Sequence, residues 1–106
     1  MENITSAQKK YLRGLAHDLK PVVQIGQRGL TPNLYAQIEA ALLSHELIKI
    51  RFGDFKQKTA KAQILDALVA HCDCHLAGQI GHTALLYRQH PQKERRRIVL
   101  PASRSA

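Results

Sequence analysis

Hydrophobic positions recur at helical spacing in three stretches of this chain and at strand spacing in four. Helical spacing predicts a first helix from about Ser6 to Asp18, a second from Pro32 to about Ser44, and a third from about Phe55 or Lys56 to His71. Alternating or short apolar runs predict strands over Val22 to Ile25, Leu47 to Phe52, His75 to Ile80 and Thr83 to Arg88.

The order α-β-α-β-α-β-β predicts an α/β domain with a mixed four-stranded sheet. The two β-α-β crossovers favour right-handed connections and parallel neighbours, and the closing hairpin adds an antiparallel pair. Lys49 and Arg51 alternate with apolar residues in the second strand, so both should lie on one face of the sheet. Gly81 and His82 suit a two-residue turn between the last two strands.

Capping residues mark the starts of the first two helices. Thr5 and Gln8 have the spacing of a capping box, and Thr31 followed by Pro32 predicts an N-cap with proline at the first helical position. The second helix should be acidic on its outer face, because Glu39 and Glu46 are the charged residues of that stretch.

The connection Gly26-Gln27-Arg28-Gly29 joins the first strand to the second helix. Its two glycines permit positive φ and close approach of a ligand, and the N–H groups at the helix start favour an anion. The same spacing recurs from Gly78 to Gly81 in strand-like sequence with no helix start behind it, so spacing alone identifies no site. Two interpretations stay open for the first pair: a phosphate-cradling loop, or a tight connection that needs glycine for geometry alone.

The charge of the chain is positive and unevenly placed. Sixteen Lys and Arg residues against eight Asp and Glu give a formal net charge of +8, and the isoelectric point is near 9.9. Residues 31–48 and 62–87 contain no lysine or arginine. Segregated positive charge favours a polyanionic partner such as nucleic acid or an anionic membrane surface. The cations concentrate in the first helix, at the start of the third helix and in the C-terminal segment: Lys9, Lys10, Arg13, Lys56, Lys58, Lys61, Arg95, Arg96 and Arg97.

Length and composition predict one soluble domain. With 106 residues and 44% hydrophobic residues, the chain can bury a core without disulfides or metals. We expect a single domain over residues 1–101 and a disordered tail over residues 102–106. No stretch is long and apolar enough to span a membrane, and the N-terminus lacks the pattern of a signal peptide, so we expect a cytoplasmic protein.

The segment from His71 to His75 holds two histidines, two cysteines and an aspartate, but not at the usual spacing of a zinc site. We therefore expect Cys72 and Cys74 to be free thiols without a metal, and serine to replace both without loss of the fold. No arrangement of nucleophile, base and orienting group is visible, so we expect neither catalysis, nor a cofactor, nor a small-molecule substrate.

Several motifs, separated along the chain and in the right order, resemble the CRM domain, most closely in its bacterial stand-alone, YhbY-like form. The resemblance extends from about Ser6 to Pro101. The motifs run from Arg13 to Pro21, Val23 to Thr31, His45 to Lys49, Gln79 to Gly81, Leu86 to Arg88 and Lys93 to Arg95.

The resemblance implies a fold similar to the C-terminal domain of bacterial translation initiation factor three. It also implies RNA binding through a GxxG loop made by Gly26, Gln27, Arg28 and Gly29, and association with large-subunit rRNA or its precursor particle during ribosome maturation. The family loop is usually more basic than this one, which carries Gln27. Two alternatives remain: a protein–protein adaptor that uses a strand edge or the second helix, and a metal-dependent enzyme built on the cluster from His71 to His75.

Overall fold

The computed structural model describes residues 3–26, 28–53 and 58–102, and of residues 58 and 59 only the backbone. Its helices and strands follow the predicted order, which confirms the α/β architecture with a mixed four-stranded sheet. The elements are α1 (Ser6–Ala16), β1 (Pro21–Ile25), α2 (Pro32–His45), β2 (Leu47–Phe52), α3 (Lys58–Cys72), β3 (His75–Ile80), β4 (Thr83–Tyr87) and a 3-10 turn (Lys93–Arg95). The proposed third-helix start at Phe55 or Lys56 lies outside the described residues.

The strand order is β1-β2-β4-β3. β1 and β2 are parallel neighbours, as predicted, whereas β4 is antiparallel to both β2 and β3. The prediction of parallel neighbours was therefore wrong for the second crossover, because β4 inserts between β2 and β3. Residues 84–87 of β4 are all buried, and a strand buried on both faces belongs in the middle of a sheet.

Helices cover both faces of the sheet. α2 and α3 pack on one face over the larger core, which includes Ile25, Ile50 and Leu68. α1 packs on the other face over a smaller core built around Leu12 and Tyr87. The alternation predicted for β2 is confirmed, because its residues divide between the two cores and leave Lys49 and Arg51 on the α1 face.

Both predicted helix caps are present. The Gln8 N–H donates to Thr5 Oγ1 (3.1 Å) and the Thr5 N–H to Gln8 Oε1 (2.9 Å), which completes the capping box of α1. The Leu34 N–H donates to Thr31 Oγ1 at the start of α2 (3.2 Å). These short-range bonds explain why both helix starts could be predicted from the sequence.

The chain after β4 returns to the domain as an irregular strap, residues 89–102, which a buried carboxylate anchors and whose Ile98 and Leu100 pack on the smaller core. Glu46, which is 1% exposed, accepts the N–H of His90 at Oε2 (2.8 Å) and those of Arg97 and Ile98 at Oε1 (2.5 and 3.0 Å). Glu46 follows the last residue of α2 and has a φ of 63°. Residues other than glycine adopt this backbone conformation at an energetic cost. The strap is thus tied to the end of α2 through Glu46. Residues 103–106 of the predicted disordered tail lie outside the described residues.

Candidate nucleic-acid interface

The topology gives the domain two distinct ends. The C-termini of β1 and β2 and the turn between β3 and β4 gather at one end, where Gly26–Gly29 follows β1; we call it the loop end. At the opposite end, β4 runs into the strap, and the Arg88 N–H donates to the Glu46 carbonyl (2.8 Å) just before β2 begins; we call it the strap end. The candidate RNA-binding residues divide between these ends and α1.

The loop after β1 is closed by its own hydrogen bond, from the Gly29 N–H to the Gly26 carbonyl (3.0 Å). Gly29 has a φ of +68°, a backbone conformation that favours glycine. At Gly26 φ is ordinary, and a Cβ there would meet nothing within 4 Å. Arg28 is exposed at the tip, and Gln27 lies outside the described residues.

The N-terminus of α2 supplies fewer N–H groups than expected. Pro32 has none, and the N–H of Leu34 is taken by Thr31. At most the N–H of Asn33 is left among the first three helical residues, so any anion near this loop must depend mainly on Arg28 and the loop backbone.

Lys61, one of the three cations predicted to cluster at the start of α3, is buried at the loop end. The residue is 7% exposed; its Nζ donates to His82 Nδ1 (2.8 Å) and lies 5.9 Å from the centre of the Phe52 ring. Lys61 therefore ties α3 to the turn between β3 and β4, and its RNA contact stays a prediction. Lys56 lies outside the described residues, and Lys58 is described by its backbone only.

The three cations of α1 differ in exposure and in their contact with the sheet. Lys10 and Arg13 are exposed and Lys9 is half-buried. The Arg13 side chain crosses β3, because its Cδ lies only 3.0 Å from the position of a Cβ built on Gly78. Leu15 and Leu19, which share the helical repeat of α1, are 43% and 38% exposed, so the buried face of α1 is narrower than the sequence pattern suggests.

Arg95, Arg96 and Arg97 are exposed on the strap. Together with Leu43, Ser44 and His90 they line a cleft of about 810 Å³ between the strap and the end of α2. The Arg96 Nε–H donates to the His90 carbonyl (2.9 Å), which fixes this arginine against the strap backbone. The strap end thus holds a second group of cations, away from the loop.

The expectation that α2 is acidic on its outer face was wrong, because both carboxylates are bonded to other parts of the domain. Glu46 holds the strap, and Glu39 forms an ion pair with Arg88 (2.9 Å). Arg88, which follows β4, also donates to the Cys72 carbonyl (2.7 Å), so it links the end of β4 to α2 and α3. The hydrogen bond from Arg88 lowers the pKa of the Glu39 carboxyl below its ordinary value.

Cys72 and Cys74 are free thiols in the larger core, 1% and 4% exposed. Burial raises the pKa of both thiols, to about 12 for Cys74. Their burial changes the expectation that serine would replace them harmlessly, because each hydroxyl would enter apolar surroundings. Within residues 3–26, 28–53 and 58–102, no three His, Cys, Asp or Glu side chains are grouped so that they could hold a metal ion.

Sequence reasoning missed the anchoring role of Glu46 and the pairing of Lys61 with His82. Each depends on a partner more than twenty positions away, which the local pattern does not identify. A single signal was available for Lys61: a lysine at helical spacing with Ile64, Leu65 and Leu68 lies close to the buried side of α3.

The fold and these surfaces define a small basic α/β domain with a glycine loop at one end, and comparison with known proteins assigns its family. The model of the CRS1/YhbY (CRM) domain matches residues 4–88. The chain belongs to this family. The match ends where the strap begins. No helix in the described part of the chain is long and apolar enough to cross a membrane.

Three proteins are similar to this chain over most of their length. An RNA-binding protein of Haemophilus influenzae is 41% identical over 95% of this chain and 98% of its own. A protein of Bacillus subtilis named as a probable RNA-binding protein is 37% identical over 92% of this chain and 99% of its own. The solution structure of a hypothetical Staphylococcus aureus protein, described as a candidate RNA-binding protein, superposes with a TM-score of 0.76 at 31% identity, covering 93% of this chain and all of the other.

Proposed function

We propose that this protein binds structured RNA without catalysing a reaction on it, in the cytoplasm. The observation that carries the proposal is the loop after β1. Arg28 is exposed at its tip, and Gly26 is glycine although neither its φ nor any neighbour within 4 Å requires it. A glycine that the fold does not require, two positions from an exposed arginine, lets a phosphate approach the backbone closely. The family membership and the names of the relatives support RNA as the partner.

The loop works with the cations elsewhere on the domain. Five of these cations are exposed: Lys10 and Arg13 on α1, and the three arginines of the strap. An RNA that reaches beyond the loop therefore meets positive charge on α1 and at the strap end. Each phosphate neutralised by a cation releases condensed counterions, which favours binding without reading the base sequence. The proposed interface therefore positions the protein on an RNA fold.

The RNA we propose is large-subunit rRNA in a precursor particle, with a role in ribosome maturation. This step rests on the resemblance to the stand-alone, YhbY-like members of the family. Crosslinking to RNA in cells followed by sequencing of the bound fragments tests it directly. Crosslinks spread over messenger RNA, with no enrichment in large-subunit rRNA, would contradict this assignment and leave RNA binding itself intact.

The test of the loop compares three variants on the same structured RNA at one salt concentration. Arg28→Ala should weaken binding and leave thermal unfolding unchanged, because an exposed loop arginine contributes little to stability. Gly29→Asp should weaken binding more, because it brings a negative charge to the loop and a side chain to a φ of +68°.

Gly81→Ala is the matched control. Gly81 has a φ of +57° in the turn between β3 and β4, so alanine should lower stability there while the folded fraction keeps its affinity. If Arg28→Ala binds as tightly as the parent, the loop is only a connector and the RNA must be held by α1 and the strap. A protein partner that survives nuclease treatment in a pull-down would instead favour an adaptor.

A further inference from the structure

Four side chains form a continuous row across the sheet at the loop end. The strand register pairs Gln24 with Arg51, Arg51 with Thr83, and Thr83 with Ile80, so every strand contributes one member. Paired residues on neighbouring strands point to the same face. Arg51 shares its face with Leu47 of the smaller core, so the row lies on the α1 face of the sheet.

α1 does not cover this row. Its buried residues, Leu12 and Ala16, pack with Leu47 and Tyr87, a cross-strand pair at the strap end. At the loop end the same face is open: Gln24 and Arg51 are exposed, and Ile80 is 67% exposed. With neighbouring strands about 4.8 Å apart, four strands give an open platform roughly 14 Å across.

The platform is cationic. Arg51 belongs to the row, and Lys49 lies on the same face of β2 one step closer to the strap end. Arg13 of α1 lies over Gly78, next to the row on β3. The salt bridge found in the described part of the chain joins Arg88 to Glu39. None of these three cations therefore forms an ion pair with a described residue.

We propose that this row binds a single-stranded RNA segment that continues from the phosphate at the glycine loop. The inference rests on the RNA-binding function proposed above and adds the form of the RNA and its path. Arg51, Lys49 and Arg13 would take backbone phosphates, Ile80 would support a base or ribose, and the Gln24 amide would reach a base edge. Unpaired nucleotides can lay their bases on an open sheet face, which a duplex cannot do.

The composition of the row favours RNA over a protein partner. Ile80 is its one large apolar side chain, and the other three members, Thr83, Arg51 and Gln24, are polar or cationic. The buried centre of a protein interface is apolar and depleted of charge. The row lacks such a centre, whereas cations beside a single apolar support match the alternation of phosphate and base along an unpaired strand.

Amide NMR on the full chain maps the path. We would titrate the protein with an oligouridylate of about ten nucleotides and, separately, with a blunt RNA duplex of equal charge. The single strand should shift the amides of Gln24, Arg51, Ile80 and Thr83 together with those of Arg28 and Gly29. Shifts confined to the loop and α1, with the row unmoved, would overturn the inference.

Uncharged substitutions separate the row from general electrostatics. Ile80→Ala and Gln24→Ala remove no charge, yet each should weaken oligouridylate binding by about threefold, since the first loses a base support and the second loses a hydrogen bond to a base edge. Val99→Ala is the matched control, because Val99 is an 82% exposed aliphatic residue on the strap. All three should unfold at the parent's temperature.

If Ile80→Ala and Gln24→Ala bind RNA as tightly as the parent while Arg28→Ala binds it more weakly, the row does not bind RNA and the proposed function still holds. No RNA binding by the parent would overturn both. A partner protein that binds the parent after nuclease treatment and is lost with Ile80→Ala would assign the row to a protein and also overturn the inference.

Discussion

The two glycines of the loop after β1 are glycine for different reasons. Gly29 needs its positive φ, whereas Gly26 has an ordinary φ and open space where a Cβ would lie. Gly26→Ala should therefore leave the free energy of unfolding within about 0.5 kcal/mol of the parent. It should still weaken RNA binding by roughly fivefold, equivalent to about 1 kcal/mol, by holding the phosphate away from the backbone.

Gly29→Ala is the comparison for that prediction. Forcing alanine to a φ of +68° costs about 1–2 kcal/mol of stability. Denaturant unfolding and RNA affinity measured on both variants separate fold from function. Equal affinity of Gly26→Ala and the parent would mean that the glycine at position 26 has no part in binding.

The thiols of Cys72 and Cys74 should be inert in the folded protein. Both are buried, and burial raises their pKa values, so little thiolate forms near neutral pH. A thiol-specific reagent should label neither without denaturant and both on unfolding. Cys72→Ser with Cys74→Ser should be less stable than the matching pair of alanine variants, because serine brings a hydroxyl into the larger core. Rapid labelling of native protein would show that this part of the core opens.

Among the elements, the strap depends on Glu46. This buried carboxylate accepts three backbone N–H groups of the strap, at His90, Arg97 and Ile98. Glu46→Gln replaces an acceptor oxygen by a donor and leaves at least one N–H without a partner, so the protein should lose roughly 2 kcal/mol of stability. Denaturant unfolding measures the loss.

Two controls isolate the carboxylate. Glu94→Gln changes an exposed strap carboxylate and should leave stability unchanged. Glu46→Gly relieves the φ of 63° and also removes the carboxylate, so it should still be destabilised. A Glu46→Gln variant as stable as the parent would contradict the anchoring role, because that substitution removes the carboxylate and leaves the φ of 63° as it is.

The ion pair between α2 and β4 should make stability depend on acid pH. Arg88 lowers the pKa of Glu39 in the folded protein. As the pH falls below the ordinary value of 4.5, the Glu39 carboxylate is therefore protonated in the unfolded chain before it is protonated in the folded protein. The stabilisation is complete above that value and is lost below it. The Glu39 side chain is 39% exposed, so solvent screening limits the effect to less than about 1 kcal/mol.

Comparing the parent with Glu39→Gln isolates this contribution. The stability difference between the two proteins should shrink as the pH is lowered from about 6 to about 3, by denaturant unfolding at each pH. A difference that is constant over this range would mean that the ion pair makes no pH-dependent contribution to stability.

For the molecule as a whole, cations at both ends predict binding that depends on the length of the RNA. The domain is 40 Å along its longest axis, with Arg28 at the loop end and Arg95, Arg96 and Arg97 at the strap end. The logarithm of affinity should fall linearly with the logarithm of salt concentration, more steeply for an RNA that reaches both ends than for one that covers only the loop. Equal slopes for long and short RNA would show that one end does not take part, and a flat salt dependence would rule out electrostatic binding.

How far the sequence predicted this molecule depends on the range of the interactions involved. The caps of α1 and α2 and the alternation in β2 are local, and each could be predicted from neighbouring residues. The place of β4 and the role of Glu46 depend on partners tens of positions away, 44 to 52 for Glu46. Lys61 shows the same limit within the candidate site, because its charge was visible in the sequence and its burial against His82 was not.

The position of β4 in the sheet also bears on how the chain folds as it is synthesised. β4 is the last strand in sequence and the one that joins β3 to the parallel pair of β1 and β2. Until residues 83–87 leave the ribosome, β3 has no partner strand and β2 keeps an open edge, so early segments cannot complete a stable sheet. A nascent chain of this protein should therefore gain protease resistance in one late step, after β4 emerges, and not in stages as each helix appears.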